Sequence, residues 1–141
     1  MTLVVDASVA LKWFVREEES DVAERLLQAT EPLHAPALLL SEVANGLWKN
    51  HKRGLVDAEQ AKRALAILPQ AINVWRPTER FLQLALAMAI ELDHPIYDMV
   101  YLAQAREGSG MVVTADQRFL TRVAGTAHAS FVVSLADWRP D

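Results

Sequence analysis

Cysteine is absent from this chain of 141 residues, and its longest uninterrupted apolar run extends only from Leu84 to Ile90. Without cysteine there is no disulfide framework, no thiolate zinc site and no cysteine nucleophile. A membrane-spanning helix needs about 18 consecutive apolar residues. At the N-terminus no basic segment precedes the apolar stretch, which Asp6 interrupts, so the pattern of a secretion signal is missing. We therefore expect a cytoplasmic protein without membrane segments.

Glycine and histidine are too sparse for several common active sites. The five glycines are scattered, and neither the dinucleotide-binding nor the P-loop spacing occurs. The four histidines include no pair at positions i and i+4, which argues against a histidine-based zinc motif. Ser8 stands where a haloacid-dehalogenase-type phosphatase needs a second aspartate, and the sequence shows no His–Asp relay for it. The acidic pair of a receiver domain is missing too.

The charge balance is slightly acidic, with 18 Asp and Glu against 14 Lys and Arg and a net charge of −4. This balance argues against a protein that binds nucleic acid through a general positive field. The hydrophobic share of 52% is too high for a disordered chain. Because the length is close to the roughly 150 residues of an average domain, we expect residues 1–141 to form a single domain.

Short apolar strands alternate with helical patterns along the chain. The strands are predicted at 3–5, 111–113 and 131–133, with weaker candidates at 33–35 and 73–75. Continuous rather than alternating apolar character is typical of a parallel sheet covered on both faces. Helices are predicted at 8–15, 21–29, 37–53, 57–68, 78–92 and 95–107. The order of these elements predicts an α/β fold with a mostly parallel sheet of four to five strands flanked by helices.

Local signals define two helix ends and the environment of one helix. Gly54 is expected to end the helix that starts near residue 37. Asp57 and Gln60 have the spacing of a capping box at the start of the next helix. The helix at 78–92 is apolar nearly all round, so we expect it to be buried.

Four acidic residues are distinguished by their positions. Asp6 and Asp116 each follow a predicted strand, Asp98 lies on a strongly apolar helix, and Glu42 lies on the helix after the second strand. Parallel strands end at one edge of a sheet, and ligands bind there at the point where strand order reverses. Each acid also has a simpler explanation. Asp6 and Asp116 suit helix N-caps, the dipole of a first helical turn favours Asp98, and Glu42 suits a solvated helix face.

A cation is needed if these acids converge. Three or four carboxylates held together repel one another, and their pKa values rise unless a positive charge compensates. Oxygen ligands suit hard divalent ions, of which Mg²⁺ and Mn²⁺ fit best. The residues therefore predict a metal site, on the condition that the fold brings the acids together.

Four segments of the chain resemble the PIN-domain ribonucleases, and among them the VapC-type toxins of toxin–antitoxin pairs. They are Val4-Val5-Asp6-Ala7-Ser8, the stretch 37–47 with Ser41-Glu42, the stretch 96–103 around Asp98, and the stretch 113–119 around Asp116. In this order they cover essentially the whole chain. The resemblance implies a PIN-like three-layer fold in a single nuclease domain. It also implies that Asp6, Glu42, Asp98 and Asp116 are the catalytic, metal-binding carboxylates, with Ser8 and Thr114 as supporting hydroxyls.

The resemblance further implies an Mg²⁺- or Mn²⁺-dependent endoribonuclease that cuts structured RNA, such as tRNA or rRNA, by metal-activated water and arrests translation. A cognate VapB-type antitoxin and a homodimer are implied as partners. Two alternatives share the fold or the site: an inactive interaction module whose acids only cap helices, and a metal-dependent phosphatase or DNA nuclease. Setting four of the 18 acids aside as metal ligands leaves 14, equal to the number of Lys and Arg. On that reading the net charge no longer argues against RNA.

Basic residues near these segments are candidate RNA contacts. Arg118 and Arg122 lie one helical turn apart, and Lys49 lies near the end of the helix that starts at about residue 37. Basic residues in a last turn also complement the helix dipole, so Lys49 has that second explanation. The apolar residues at 11–15 and 47–48 form either a groove for a protein partner or ordinary core.

Overall fold

The computed structural model describes residues 1–140, in which five strands form one sheet with all neighbours parallel. The strands are β1 (Leu3–Val5), β2 (Leu33–Pro36), β3 (Val74–Arg76), β4 (Met111–Thr114) and β5 (Val132–Ser134). Their order in the sheet is β3-β2-β1-β4-β5. The chain thus moves outward from β1 to β3 and then returns to the other side of β1. Strand order reverses between β1 and β4, and the predicted α/β class is confirmed.

Seven α-helices connect the strands in the predicted order. They are α1 (Ala7–Ala10), α2 (Ser20–Leu26), α3 (Leu38–Lys52), α4 (Ala58–Ala71), α5 (Leu82–Leu92), α6 (Ile96–Glu107) and α7 (Gln117–Val123). The predicted helix at 8–15 is α1 continued by a 3₁₀ turn, Leu11–Trp13, and a second 3₁₀ turn, Thr78–Phe81, precedes α5. No helix within residues 1–140 is long and apolar enough to cross a bilayer.

The core is built around β1 and α6. All three residues of β1 are buried, as are the seven consecutive residues from Met99 to Ala105 in α6. Helix α6 contacts β1, β2 and β4, while α1 and α3 contact the sheet at β4 and β2. Strand β4 is therefore contacted by both α6 and α1, which explains the continuous apolar run Met111-Val112-Val113.

The local helix signals are confirmed. Gly54 follows the C-cap of α3 with a positive φ of 79°, a conformation that favours glycine. Asp57 accepts a hydrogen bond from the Gln60 backbone N–H while the Gln60 side chain accepts from the Asp57 N–H. This capping box begins α4, which extends to Ala71 rather than to the predicted residue 68.

The expectation that the helix at 78–92 is buried is wrong for one of its faces. Ala85, Met88 and Leu92 are buried, but Leu86 and Ile90 are 52% and 74% exposed. A helix that is apolar on all sides has no polar face to indicate which side meets solvent. The sequence pattern therefore could not separate the face of α5 that packs on α6 from the face that remains uncovered.

Candidate active site

Asp6 lies directly after β1, at the point where strand order reverses, and is only 2% exposed. Its Oδ1 accepts a hydrogen bond from Ser8 Oγ at 2.6 Å, and its Oδ2 accepts one from Thr114 Oγ1 at 2.5 Å. Oδ1 also caps α1 by accepting from the Val9 N–H at 3.3 Å. The Ala115 N–H donates to Ser8 Oγ at 2.9 Å, so the ends of β1 and β4 are joined through this carboxylate. Ser8 and Thr114 thus contact Asp6 directly.

Burial raises the pKa of Asp6 to about 7. The hydrogen bonds from Ser8 and Thr114 oppose this rise, whereas the nearby charge of Asp98 adds to it. A carboxylate that must stay ionised at this position therefore costs folding free energy.

Asp98 lies in the first turn of α6, and its Oδ2 is 2.7 Å from His94 Nε2. Burial raises the pKa of Asp98, the His94 contact lowers it and the charge of Asp116 raises it. The imidazole of His94 stacks on Phe119 with ring centroids 6.3 Å apart. The sequence reasoning missed His94, because histidines were compared only with one another and not with the acid four residues later.

Glu42 lies on α3 and accepts a hydrogen bond from the hydroxyl of Tyr101 at 2.6 Å. Burial is the largest cause of a raised pKa for Glu42, and the charges of Asp98 and Asp116 raise it further. Burial and the neighbouring carboxylates hold the pKa of Tyr101 well above its ordinary value, so the phenol stays a donor. The interpretation of Glu42 as part of a solvated face is therefore wrong. Tyr101 was missed as its partner, because the sequence pattern assigns it only to the apolar surface of α6.

Asp116 follows β4 and caps α7, where its Oδ1 accepts from the N–H groups of Arg118 and Phe119 at 2.9 and 3.3 Å. The N-cap explanations of Asp6 and Asp116 are thus confirmed. They do not exclude a further role, because capping occupies only one oxygen of Asp116. Within residues 1–140, three carboxylate oxygens accept no hydrogen bond: Asp116 Oδ2, Asp98 Oδ1 and Glu42 Oε2.

The four acids share one region of negative charge. Asp98 raises the pKa of Asp6, Asp98 and Asp116 raise that of Glu42, and Asp116 raises that of Asp98. Among the described residues, no lysine or arginine forms a salt bridge with any of the four. His94, beside Asp98, is the one basic side chain within residues 1–140 in an ion pair with them. Four acids against a single imidazole leave an excess of negative charge that fits a hard divalent cation.

As placed in the described residues, the four acidic side chains do not form a complete metal-binding site. Within residues 1–140, no three His, Asp or Glu side chains lie close enough together to hold one metal ion. Each acid instead accepts from its own donors: hydroxyls for Asp6, Tyr101 for Glu42, His94 for Asp98 and the cap of α7 for Asp116. The fold therefore brings the acids to one rim and couples their charges, and ligation of a common ion requires side-chain rotation.

Two clefts lie beside the acids. The first, which we name the Asp98 cleft, has a volume of about 800 Å³, and its lining includes His94, Asp98, Asp116, Gln117, Arg118 and Arg122. The second, the Glu42 cleft, has a volume of about 600 Å³, and its lining includes Ser41, Glu42, Asn45, Lys49, Arg53 and Tyr97. The Asp98 cleft thus joins two acids of the cluster to two arginines, and the Glu42 cleft joins one acid to a lysine and an arginine.

The predicted RNA-contact residues lie on the surface, whereas two residues of the predicted partner groove lie in the core. Arg118, Arg122 and Lys49 are exposed and line these clefts. Val15 and Leu47 are buried in the core, whereas Trp48 is 55% exposed. Trp48 lines a separate, apolar cleft of about 250 Å³ between α3 and α4.

Comparisons with known proteins agree with this architecture. The family model of the PIN domain matches residues 3–125. Ribonuclease VapC3 of Pyrobaculum aerophilum is 37% identical over 121 residues, which cover 84% of this chain and 92% of the relative. The crystal structure of PAE2754 from the same organism superposes with a TM-score of 0.70 at 24% identity, covering 96% and 85% of the two chains. A toxin–antitoxin complex from Klebsiella pneumoniae gives 0.67 at 20% identity, covering 95% and 98%.

Proposed function

Because the chain belongs to the PIN domain family, we propose that it is a cytoplasmic, divalent-metal-dependent endoribonuclease and the toxin of a toxin–antitoxin pair. The observation that carries the proposal is the group of four electrostatically coupled acids, none of which has a lysine or arginine partner among the described residues. They lie at the switch point of a parallel sheet, where open α/β folds bind ligands. The 37% identity to a protein named a ribonuclease supports the choice of RNA as substrate.

The metal would be held by Asp6, Glu42, Asp98 and Asp116, the last three through oxygens that carry no hydrogen bond. Mg²⁺ or Mn²⁺ lowers the pKa of water and neutralises charge on a phosphodiester. The chain's own contribution is to hold the acids in place. Ser8 and Thr114 orient Asp6, Tyr101 orients Glu42 and His94 orients Asp98. Such supporting contacts fix the direction of metal ligands.

The substrate would lie along both clefts. Arg118 and Arg122 in the Asp98 cleft, and Lys49 and Arg53 in the Glu42 cleft, place positive charge beside the acids, where the phosphates flanking a cut bond need it. A polymer is therefore favoured over a small phosphoester, because a small phosphoester would contact only one of the two clefts. We expect the RNA to be structured, such as tRNA or rRNA, and its cleavage to stop translation.

An antitoxin and a second copy of the chain are the proposed protein partners. The superposition on a toxin–antitoxin complex supports the first. The homodimer would form through α5, because a second copy of the chain would bury the exposed apolar residues Leu82, Leu86 and Ile90.

Cleavage assays on the purified chain test the function. We expect Mg²⁺ or Mn²⁺ to support cutting of a folded tRNA, EDTA to stop it and Asp98→Asn to abolish it. Asp137→Asn, which removes the same charge from an exposed residue near the C-terminus, should leave cleavage intact.

Three results would contradict the proposal. Full cleavage by Asp98→Asn would show that the Asp98 carboxylate is not needed for cleavage. Hydrolysis of DNA or of p-nitrophenyl phosphate without RNA cleavage would replace the substrate class. An intact chain that cuts nothing and binds no Mn²⁺ would identify a non-catalytic interaction module.

A further inference from the structure

A third cleft, distinct from those beside the acids, lies between the sheet and the C-terminal half of α6. We name it the Gln104 cleft. Its volume is about 130 Å³, and its lining includes Thr2, His34, Arg76, Arg80, Gln104 and Glu107. None of its lining residues lines the Asp98 or the Glu42 cleft. Gln104 lies six residues after Asp98 on α6, which separates the two by about 9 Å along the helix axis.

The amide of Gln104 is the first indication of a ligand. The residue is 5% exposed, and neither its Nε2 nor its Oε1 has a hydrogen-bond partner within residues 1–140. Buried amide groups are nearly always paired, and an unpaired one costs folding free energy. Both atoms lack a partner, so either orientation of the amide leaves one donor group and one acceptor unsatisfied. Both atoms are closed to solvent as placed, so a molecule in this cleft that both accepts and donates would satisfy them once the Gln104 side chain turns towards it.

Charge is the second indication. Arg76 and Arg80 line the cleft, and among the described residues no carboxylate forms a salt bridge with Arg76. Arg80 has only a loose ion pair with Glu107, with the closest atoms 3.8 Å apart. Burial and the charge of Arg76 lower the pKa of His34, which disfavours its charged form. Two guanidinium groups against one carboxylate leave the cleft positive, which favours an anion.

We propose that the Gln104 cleft binds inorganic phosphate in its protonated form. The free ion keeps at least one P–OH at neutral pH, so it can donate to the amide oxygen while its other oxygens accept from the amide NH₂ and from Arg76. Arginine suits tetrahedral oxyanions because its donors form a planar fork. The volume limits the ligand, because about 130 Å³ holds only a few molecules of water size at roughly 30 Å³ each.

Titration of the full chain with phosphate tests this site. The measurement is a ¹H–¹⁵N spectrum at pH 7 in a phosphate-free buffer with EDTA, so that no cation recruits phosphate to the acid cluster. We expect the side-chain NH₂ signals of Gln104 to shift saturably with one ion per chain. Sulfate has no proton to donate at this pH and should bind several-fold more weakly.

Two arginine variants distinguish binding in the Gln104 cleft from a general attraction of anions to positive charge. Arg76→Gln should weaken phosphate binding by about tenfold or more, as expected for loss of a charge-assisted hydrogen bond. Because Arg76 is exposed, this change preserves the fold. Arg63→Gln removes the same charge from an exposed position on α4 and should leave binding unchanged. Gln104→Leu should abolish binding, with its melting temperature measured to show that it folds.

Adenosine 5′-monophosphate distinguishes the free ion from the phosphorylated end of a nucleotide. Its phosphate loses its last proton with a pKa of about 6, so we expect weaker binding than for inorganic phosphate. Equal binding of sulfate, unchanged phosphate binding in Arg76→Gln, or tighter binding of the nucleotide would each overturn the assignment. The absence of any saturable shift at Gln104 would overturn the site itself.

Discussion

Replacing Asp6 by asparagine should stabilise the metal-free protein at alkaline pH. Asp6 is 2% exposed and its pKa is raised from 3.8 to about 7, so the folded chain holds this proton more tightly than the unfolded chain. Stability is therefore highest below pH 4 as far as this group is concerned, and it falls as the pH rises towards 7. A difference between 3.8 and about 7 corresponds to a cost of about 4 kcal/mol above pH 7.

Asparagine suits this test because it keeps the local contacts. It is an equally good N-cap for α1, and its amide oxygen can still accept from Ser8. Between pH 5 and pH 8 the wild type should lose about 2 to 3 kcal/mol of unfolding free energy through this group. Asp6→Asn should reduce that loss and gain about 2 to 4 kcal/mol at pH 8. Glu42 and Asp98 also have raised pKa values, so some slope should remain.

Urea unfolding in EDTA at pH 5 and pH 8 measures both quantities. Asp57→Asn is the matched control, because Asp57 is an exposed N-cap with a similar backbone contact, and its pH dependence should equal that of the wild type. If Asp6→Asn had the wild-type slope, or were less stable than the wild type at pH 8, the account of a destabilising buried acid would be refuted.

Further predictions concern the metal, the neighbours of the acids and two positions outside the site. Mn²⁺ should raise the melting temperature more at pH 8 than at pH 5, because protons compete with the metal for the acids. Tyr101→Phe should weaken Mn²⁺ binding in calorimetry without unfolding the chain, since Glu42 loses the donor that orients it. Gly110→Ala should cost about 2 kcal/mol or more in urea unfolding, because a Cβ there would lie 2.6 Å from the Thr2 carbonyl oxygen. Leu86→Glu should change monomer stability by less than about 0.5 kcal/mol but abolish a dimer in sedimentation experiments; an unchanged dimer would exclude the α5 face as the interface.

The elements of the fold and the positions of the acids were predictable from the sequence. Continuous apolar runs predicted β1, β4 and β5, whereas β2 and β3 were only weaker candidates because His34 and Asn73 interrupt their apolar character. Gly54 and Asp57 marked helix ends through local backbone chemistry. The location of Asp6 and Asp116 on a common rim follows from topology, because each comes within two residues of the end of a parallel strand.

Contacts between distant residues were not predictable in the same way. Tyr101 and Glu42 are 59 residues apart, and no periodicity reports that a phenol on α6 reaches a carboxylate on α3. The uncovered face of α5 escaped prediction because burial depends on which neighbours pack against a helix, not on its own composition. The side-chain rotamers at the site were not predictable either. The spacing of residues along the sequence cannot show that each acid accepts a hydrogen bond from a donor of its own.

Titration of the chain with Mn²⁺ in a calorimeter shows whether the coupled acids form one divalent-metal site. We expect saturable binding of one or two ions per chain, loss of binding in Asp98→Asn, and unchanged binding in Asp137→Asn. Equal binding by both variants, or no binding by the intact chain, would contradict it.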